Sequence, residues 1–176
     1  FLPYLRNTNK KDITIRQLLF HESGLPSGTT FYFNAIEPGS YQGSLFSPNK
    51  SAVYSVQVGE HIWANPHFKF KAGLTSTKKQ PGYSIQVCDW LWLSDSFEGV
   101  VQNKIASLKL GPKQYLYSDI GFMLLKQIVE SVTRVKLDVF LRKEFYAPMD
   151  LQHTAYLPLR YYSAKEIIPS CVDPFI

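Results

Sequence analysis

Serine and lysine pairs are the first candidates for chemistry in this sequence. The pattern S-x-x-K occurs twice, from Ser47 to Lys50 and from Ser76 to Lys79. A serine at the start of a helix, with a lysine one turn later on the same face, lets the amine take the hydroxyl proton and create a nucleophile. Neither pair opens a segment with helical apolar spacing. The sequence therefore predicts that both matches are accidental.

Histidine and glycine patterns suggest no further catalytic machinery. The four histidines lack the i, i+4 spacing of a helical metal site, and there is no HExxH motif. We expect them to be core or loop residues, with His21 anchoring the loop after the first helix. There is neither a G-x-S-x-G elbow nor a phosphate-binding glycine loop. No metal or cofactor is predicted.

Helix signals cluster towards the two ends of the chain. Thr14 is placed to cap a short helix that carries Ile15, Leu18 and Leu19 on one face, and Gly24-Leu25-Pro26 stops it. The strongest pattern predicts a helix from about Asp119 to Val132 with one buried apolar stripe.

Two further helices are expected. Asp95 and Glu98 form a pair like a capping box ahead of apolar residues at helical spacing, which continue to Leu108. The last helix covers Leu137 to Phe145 and ends at Ala147-Pro148.

The middle of the chain has a different character. Gly28 to Pro48 lacks a sustained period and predicts a long ordered loop. Tyr54 to Trp63 is then echoed by Tyr83 to Trp92, and both copies alternate apolar and polar residues as half-buried strands do. We expect the two copies to pair with each other in a small β insert. Two copies are too few to predict a repeat architecture.

Length and composition narrow the possible classes. A chain of 176 residues with 45% hydrophobic residues suits one domain or a large piece of a bigger one. Its net charge of +5 comes from scattered Lys and Arg, so nucleic-acid binding is not predicted. No apolar run approaches the roughly 18 residues of a membrane span. Residues 1–5 show no signal peptide, and we expect the chain to be part of a longer protein.

Neither the cysteines nor the tryptophans point to a specific function. Cys88 and Cys171 are far apart and form no CxxC, so neither a disulfide framework nor a zinc site is predicted. Trp63, Trp90 and Trp92 are candidates for a sugar-stacking platform, but their hydrophobic alternation favours core packing.

Two segments resemble one known family. ITIRQLLFHESGLP (Ile13 to Pro26) is similar to the I-T-I-R-x-L-L-x-H-x-S-G-L-P segment of the serine β-lactamase family in its broad sense. That family includes class C β-lactamases, D-alanyl-D-alanine carboxypeptidases and related esterases. YSDIGFMLL (Tyr117 to Leu125) resembles its Y-S-N-x-G-Y-x-L-L segment, and shorter likenesses continue to about residue 158. Residues 31–110 correspond to a family-variable insert.

The resemblance implies a mechanism. A serine of an S-x-x-K motif attacks an ester or amide carbonyl and forms an acyl-enzyme, with lysine and tyrosine moving its proton. Tyr117 takes the place of that tyrosine. Asp119 stands where the family usually has Asn, and a carboxylate beside a catalytic lysine raises the pKa of that lysine, which disfavours β-lactam turnover. Read without the family, Asp119 is a helix N-cap.

The expected fold is mainly α within an α+β class: the helical lobe of a β-lactamase/transpeptidase-like fold with a small β insert. We expect one partial domain over 1–176, made of a first family segment (1–30), an aromatic-rich insert (31–110) and a second family segment (111–176). The true S-x-x-K is expected before residue 1, and no Lys-Thr-Gly or His-x-Gly strand motif follows residue 158. The chain alone should be inactive.

By resemblance, the parent protein is an extracytoplasmic bacterial serine hydrolase of the penicillin-binding-protein type. The expected partners are the missing α/β lobe and a small-molecule or cell-wall substrate, without nucleic acid and without a membrane span. The alternative is a non-catalytic accessory or binding domain of a larger N-acetylhexosaminidase-type protein, because the insert is similar to that of β-lactamase-like domains fused behind family 3 glycoside hydrolases. A free-standing carbohydrate-binding module is the third hypothesis.

Overall fold

The computed structural model describes residues 1–168, and within them the fold is mixed α+β. The described residues contain four α-helices and six short strands, in the order α1 (Ile15–Leu19), β1 (Phe46–Ser47), β2 (Val56–Gly59), β3 (Ile62–Ala64), β4 (Thr75–Ser76), β5 (Ile85–Cys88), β6 (Leu91–Leu93), α2 (Phe97–Ser107), α3 (Asp119–Thr133) and α4 (Leu137–Leu141). No helix in this part of the chain is long and apolar enough to cross a membrane. Cys171 and the end of the second family segment lie outside the described residues.

The chain divides into two compact units. The helical unit contains residues 1–29 and 105–168, and the sheet unit contains residues 30–104. The helical unit is therefore assembled from the two ends of the described chain, and the sheet unit is built from the intervening sequence.

Helix α1 begins where the sequence predicts. The Thr14 hydroxyl accepts the amide of Gln17, whose side chain accepts the Thr14 amide in return, which completes a capping box. Of the three apolar residues expected on one face, Leu18 is buried, whereas Ile15 and Leu19 are exposed.

Helix α3 confirms the strongest helix prediction and extends it by one residue. Ile120 and Leu124 are completely or almost completely buried and form its inner stripe with Gly121. A β-carbon on Gly121 would lie 3.4 Å from the carbonyl oxygen of Leu18, so α3 approaches α1 closely at this point. The glycine permits that approach because it carries no side chain.

Helix α4 is shorter than predicted. Regular α-helix ends at Leu141, and Arg142–Tyr146 continue as one wider π-helical turn in which the amide of Ala147 bonds to the carbonyl of Arg142. The Arg142 guanidinium lies 4.9 Å from the ring centre of Tyr161. This cation–π contact forms where the sequence predicted continuous α-helix.

Lys10 is a buried residue that the sequence pattern did not single out. It is 2% exposed, and its ammonium group donates to Asn9 Oδ1 at 2.7 Å and to the carbonyls of Ala106 and Leu108 at 3.1 and 2.5 Å. Burial lowers its pKa because removal from water disfavours the charged form. Two of the three bonds satisfy carbonyls at and just after the end of α2, so the role of Lys10 is structural.

The sheet unit holds two three-stranded antiparallel sheets with the same strand order. In the first, β3 lies between β1 and β2, and in the second, β6 lies between β4 and β5. The predicted pairing of the two copies with each other is therefore wrong. Each copy folds on itself as a hairpin, because strands joined by two residues meet at a much smaller cost in chain entropy than distant ones.

The likeness between the two sheets extends to individual contacts. Gln57 faces Trp63 in the first sheet and Gln86 faces Trp92 in the second, each next to an irregularity in the ladder. Their side-chain amides donate to the carbonyls of Gly59 and Cys88 respectively. The echo in the sequence thus belongs to two copies of one structural unit, residues 46–64 and 75–93.

Asp95 contributes to the second sheet. Its carboxylate accepts both the amide and the hydroxyl of Ser84, and these bonds lower the pKa of Asp95. Asp95 therefore bonds to the segment that leads into β5, which differs from its predicted role in a capping box.

Four hydrogen bonds, three between main-chain atoms and one from a serine hydroxyl, join the two ends of the helical unit, and we call them the motif ladder. It links the segment after α1 with the segment before α3. Its hydrogen bonds run from Gly111 N to Gly24 O (2.8 Å), from Leu116 N to His21 O (2.9 Å), from Asp119 N to Ser27 O (3.0 Å) and from Ser118 Oγ to Pro26 O (2.6 Å).

Two substitutions at Gly121 test the close approach of α1 and α3. Gly121→Ala should leave stability unchanged or raise the free energy of unfolding by up to about 1 kcal/mol, because the β-carbon makes ordinary contact and alanine favours helix. Gly121→Val should lower it by about 1–3 kcal/mol through overpacking. Urea unfolding would measure both, and equal effects of the two variants would contradict this packing.

Gly24 tests the motif ladder. Its φ is +76°, and a β-carbon there would lie 2.5 Å from the carbonyl oxygen of Gly111. Gly24→Ala should lower the free energy of unfolding by more than about 2 kcal/mol, because left-handed strain and the clash add. The matched control is Gly28→Ala, whose β-carbon meets nothing within 4 Å and which should stay within about 0.5 kcal/mol of the parent.

Candidate active site

Tyr117 lies two residues before α3, in the segment held by the motif ladder. Its side chain is 57% exposed, so the phenol is accessible from solvent. Its ring centre lies 4.6 Å from that of His21. The phenol of Tyr117 is therefore at the surface, while the hydrogen bonds of the motif ladder hold the backbone that carries it.

Ser118 and Asp119 begin α3 together. Ser118 is the N-cap residue by position, is 1% exposed and donates its hydroxyl to the carbonyl of Pro26. Asp119 is the first helical residue and is exposed. The interpretation of Asp119 as the N-cap is thus wrong by one residue, although its charge still lies at the positive end of the helix dipole.

His21 connects the loop after α1 to Tyr117. Its Nδ1 accepts the amide of Ser118 at 3.1 Å, and its own carbonyl accepts the amide of Leu116. The imidazole also lies 5.4 Å from the ring of Phe122 and 6.1 Å from that of Tyr115. The expected anchoring of this loop therefore involves the side chain and the main chain of one residue.

The two S-x-x-K matches occupy equivalent places in the two sheets. Ser47 and Ser76 lie on β1 and β4, and Lys50 and Lys79 place their ammonium groups 4.9 and 5.8 Å from the ring centres of Trp63 and Trp92. Neither serine begins a helix. The pattern occurs twice because one sheet-building unit occurs twice, which gives a physical reason for the prediction that these serines are not nucleophiles.

Two further histidines have neighbours of their own. His61 is at the tip of the β2–β3 hairpin, where its Nε2 lies 3.8 Å from Oε1 of Glu60. The ring centres of His153 and Tyr162 lie 6.0 Å apart. Within residues 1–168, no three His, Cys, Asp or Glu side chains gather as a metal site would require.

A groove of about 330 Å³ lies between α4 and the segment near residues 154–161. Its lining combines Asp138 and smaller apolar and hydroxyl residues with two basic and three aromatic side chains, namely Arg142, Lys143, Tyr146, Tyr156 and Tyr161. It contains neither Tyr117 nor Asp119. Sequence reasoning did not find it, because its lining depends on the π-helical turn after α4.

Of the residues around Tyr117, sequence reasoning missed the role of Ser118. A small polar residue directly before a helix-periodic run is a preferred N-cap, so the signal was present one position before Asp119. The bond from the Ser118 amide to His21 joins residues 97 positions apart. No local pattern indicates such a contact.

Short stretches of the chain are similar to cell-wall hydrolases. "N-acetylmuramyl-L-alanine amidase" of Bacillus subtilis (strain 168) is 51% identical over 47 residues, which are 27% of this chain and 11% of that protein. "Putative D-alanyl-D-alanine carboxypeptidase" is the name of two further relatives, from Escherichia coli (strain K12) and Salmonella heidelberg (strain SL476). They are 46% and 39% identical over 46 residues, which are 26% of this chain and 11% of each relative. Neither a protein-family model nor a solved structure matches.

Proposed function

We propose that this chain is the helical lobe of a serine β-lactamase-like hydrolase and carries Tyr117 as a proton-transfer residue. In this proposal the parent protein cleaves an amide bond at an alanine residue of a cell-wall peptide, through an acyl-enzyme. The observation that carries the proposal is the accessible Tyr117 phenol on a backbone fixed by the motif ladder, which joins the two family-like segments.

The geometry suits a proton-transfer residue. A general base must reach its substrate while holding a defined orientation. Tyr117 meets both requirements, since its ring is exposed while the amides on either side of it are bonded to His21. The 15-residue helix α3 begins two residues after Tyr117, so the positive end of its dipole lies close to this segment in sequence.

The names of the relatives indicate the substrate class. An N-acetylmuramyl-L-alanine amidase and a D-alanyl-D-alanine carboxypeptidase both cleave, by name, an amide bond at alanine. An extracytoplasmic place of action agrees with such a substrate. We assign the serine and lysine of the nucleophilic pair to a part of the parent protein outside these 176 residues, since the two S-x-x-K sequences here belong to the sheets.

Removing the Tyr117 hydroxyl tests the proposal. In the full-length protein that contains this chain, Tyr117→Phe should lower kcat/KM for a D-alanyl-D-alanine peptide about 10²- to 10⁴-fold, because one proton-transfer group is lost. The chain of 176 residues alone should release no D-alanine. Amine-release assays would measure both.

Tyr115→Phe is the matched control for Tyr117→Phe. Tyr115 is 70% exposed and also lies near His21, but the proposal gives its hydroxyl no role. It should retain activity within about threefold of the parent, since exposed substitutions rarely matter. Full activity in Tyr117→Phe would overturn the assignment of Tyr117 as a proton-transfer residue. Absence of any turnover in the unmodified full-length protein would favour the accessory-domain alternative.

Asp119 should set part of the pH dependence. Its carboxylate favours the protonated form of a nearby catalytic lysine, so replacing it with the neutral amide lowers the pKa of that lysine. The acidic limb of kcat/KM in Asp119→Asn should therefore move to lower pH by on the order of one unit. Asp138→Asn, at the start of α4, is the control. An unmoved limb in Asp119→Asn would place the lysine away from this carboxylate.

A further inference from the structure

His21 makes three separate contacts with the segment that contains Tyr117. Its carbonyl accepts the amide of Leu116 at 2.9 Å, its Nδ1 accepts the amide of Ser118 at 3.1 Å, and its ring lies against the ring of Tyr117. The amides on both sides of Tyr117 are thus bonded to one residue. Rotation of the Tyr117 backbone would break at least one of these bonds.

The bond from Ser118 defines the state of the imidazole. An amide can donate only to a ring nitrogen that carries a lone pair, so Nδ1 must be unprotonated when this bond forms. A protonated Nδ1 would turn the acceptor into a second donor, and the Ser118 amide would lose its partner. The contact therefore requires an acceptor at this position, which the imidazole supplies only when its Nδ1 carries no proton.

The backbone of His21 shows that this side chain is not the conformationally easiest choice. Its φ is +56°, in the left-handed region that glycine adopts readily and other residues enter at a cost. The residue follows Phe20, the C-cap of α1, a position where glycine is the common solution. Glycine would relieve the strain and keep the carbonyl bond to Leu116, but would lose the bond to Ser118 and the ring contact.

We propose that His21 is a positioning residue for Tyr117: its imidazole, bonded to the Ser118 amide and packed against the phenol ring at a tilt of 40°, fixes the direction in which that phenol points. The proposal rests on the proposed function of Tyr117 for its catalytic consequence. The positioning itself concerns only contacts within the helical unit. In this proposal, the histidine of the first family-like segment (Ile13 to Pro26) controls the position of the tyrosine in the second (Tyr117 to Leu125).

Two variants separate positioning from general packing. His21→Gly keeps the main-chain bond to Leu116 and removes the imidazole. His21→Asn keeps an acceptor near the place of Nδ1, and asparagine is among the residues that tolerate positive φ. If the imidazole only filled space, the smaller and polar asparagine would not restore its function. If the imidazole acts as an acceptor, asparagine would restore it.

The first measurement is hydrogen exchange at individual amides in the full-length protein. In His21→Gly, the Ser118 amide should exchange at least about tenfold faster, while the amides of Leu116 and Leu124 keep their rates because their acceptors remain. In His21→Asn, the Ser118 rate should return to within about threefold of the parent. Unchanged Ser118 exchange in His21→Gly, or no recovery in His21→Asn, would overturn the proposal.

The second measurement is turnover of a D-alanyl-D-alanine peptide. His21→Gly should lower kcat at least about tenfold with KM within about twofold, because a misdirected phenol impairs proton transfer more than binding. His21→Asn should recover most of kcat. If Tyr117→Phe is inactive and His21→Gly is fully active, the positioning proposal fails alone. If Tyr117→Phe is fully active, the proposed function fails, and Ser118 exchange still decides whether His21 holds this segment.

Discussion

The motif ladder is the constraint on which the helical unit depends. Four hydrogen bonds hold the segment after α1 against the segment before α3, and they join residues about 90 positions apart in the chain. Each bond contributes only about 0.5–1.5 kcal/mol net, but breaking one within the unit strands polar groups at a larger cost. Because loop-closure entropy grows only slowly with length, the ladder tolerates the long sequence between its two sides.

Local signals predicted the helices well and the strand pairing poorly. Thr14 and the stripe through Ile120 and Leu124 carry their own information, since caps and helical periodicity act within a few residues. Strand pairing also depends on which turns close first. The two copies looked like partners because they were alike, but the two-residue connections at Glu60-His61 and Asp89-Trp90 join strands that are already adjacent.

The resemblance singled out Tyr117 and Asp119 as candidates, but it did not indicate the contacts around them. Tyr117 and Asp119 stood out through the second segment, whereas the buried Ser118 hydroxyl and the acceptor nitrogen of His21 form bonds that only tertiary structure reveals. Lys10 was missed for the same reason. A lysine is usually exposed, and the residues near Lys10 in the sequence do not indicate that its ammonium group has three acceptors.

The exposure of Tyr117 has a consequence for how the site is built. A ring that is 57% exposed cannot be oriented by core packing, so its orientation must come from the backbone that carries it and from the His21 imidazole beside it. That backbone is fixed by two residues with left-handed backbone conformation, His21 and Gly24. Gly24 lets the two segments approach closely at Gly111, and His21 accepts hydrogen bonds from the amides on both sides of Tyr117. The segment after α1 therefore fixes the backbone of the segment before α3, from which the Tyr117 phenol reaches solvent.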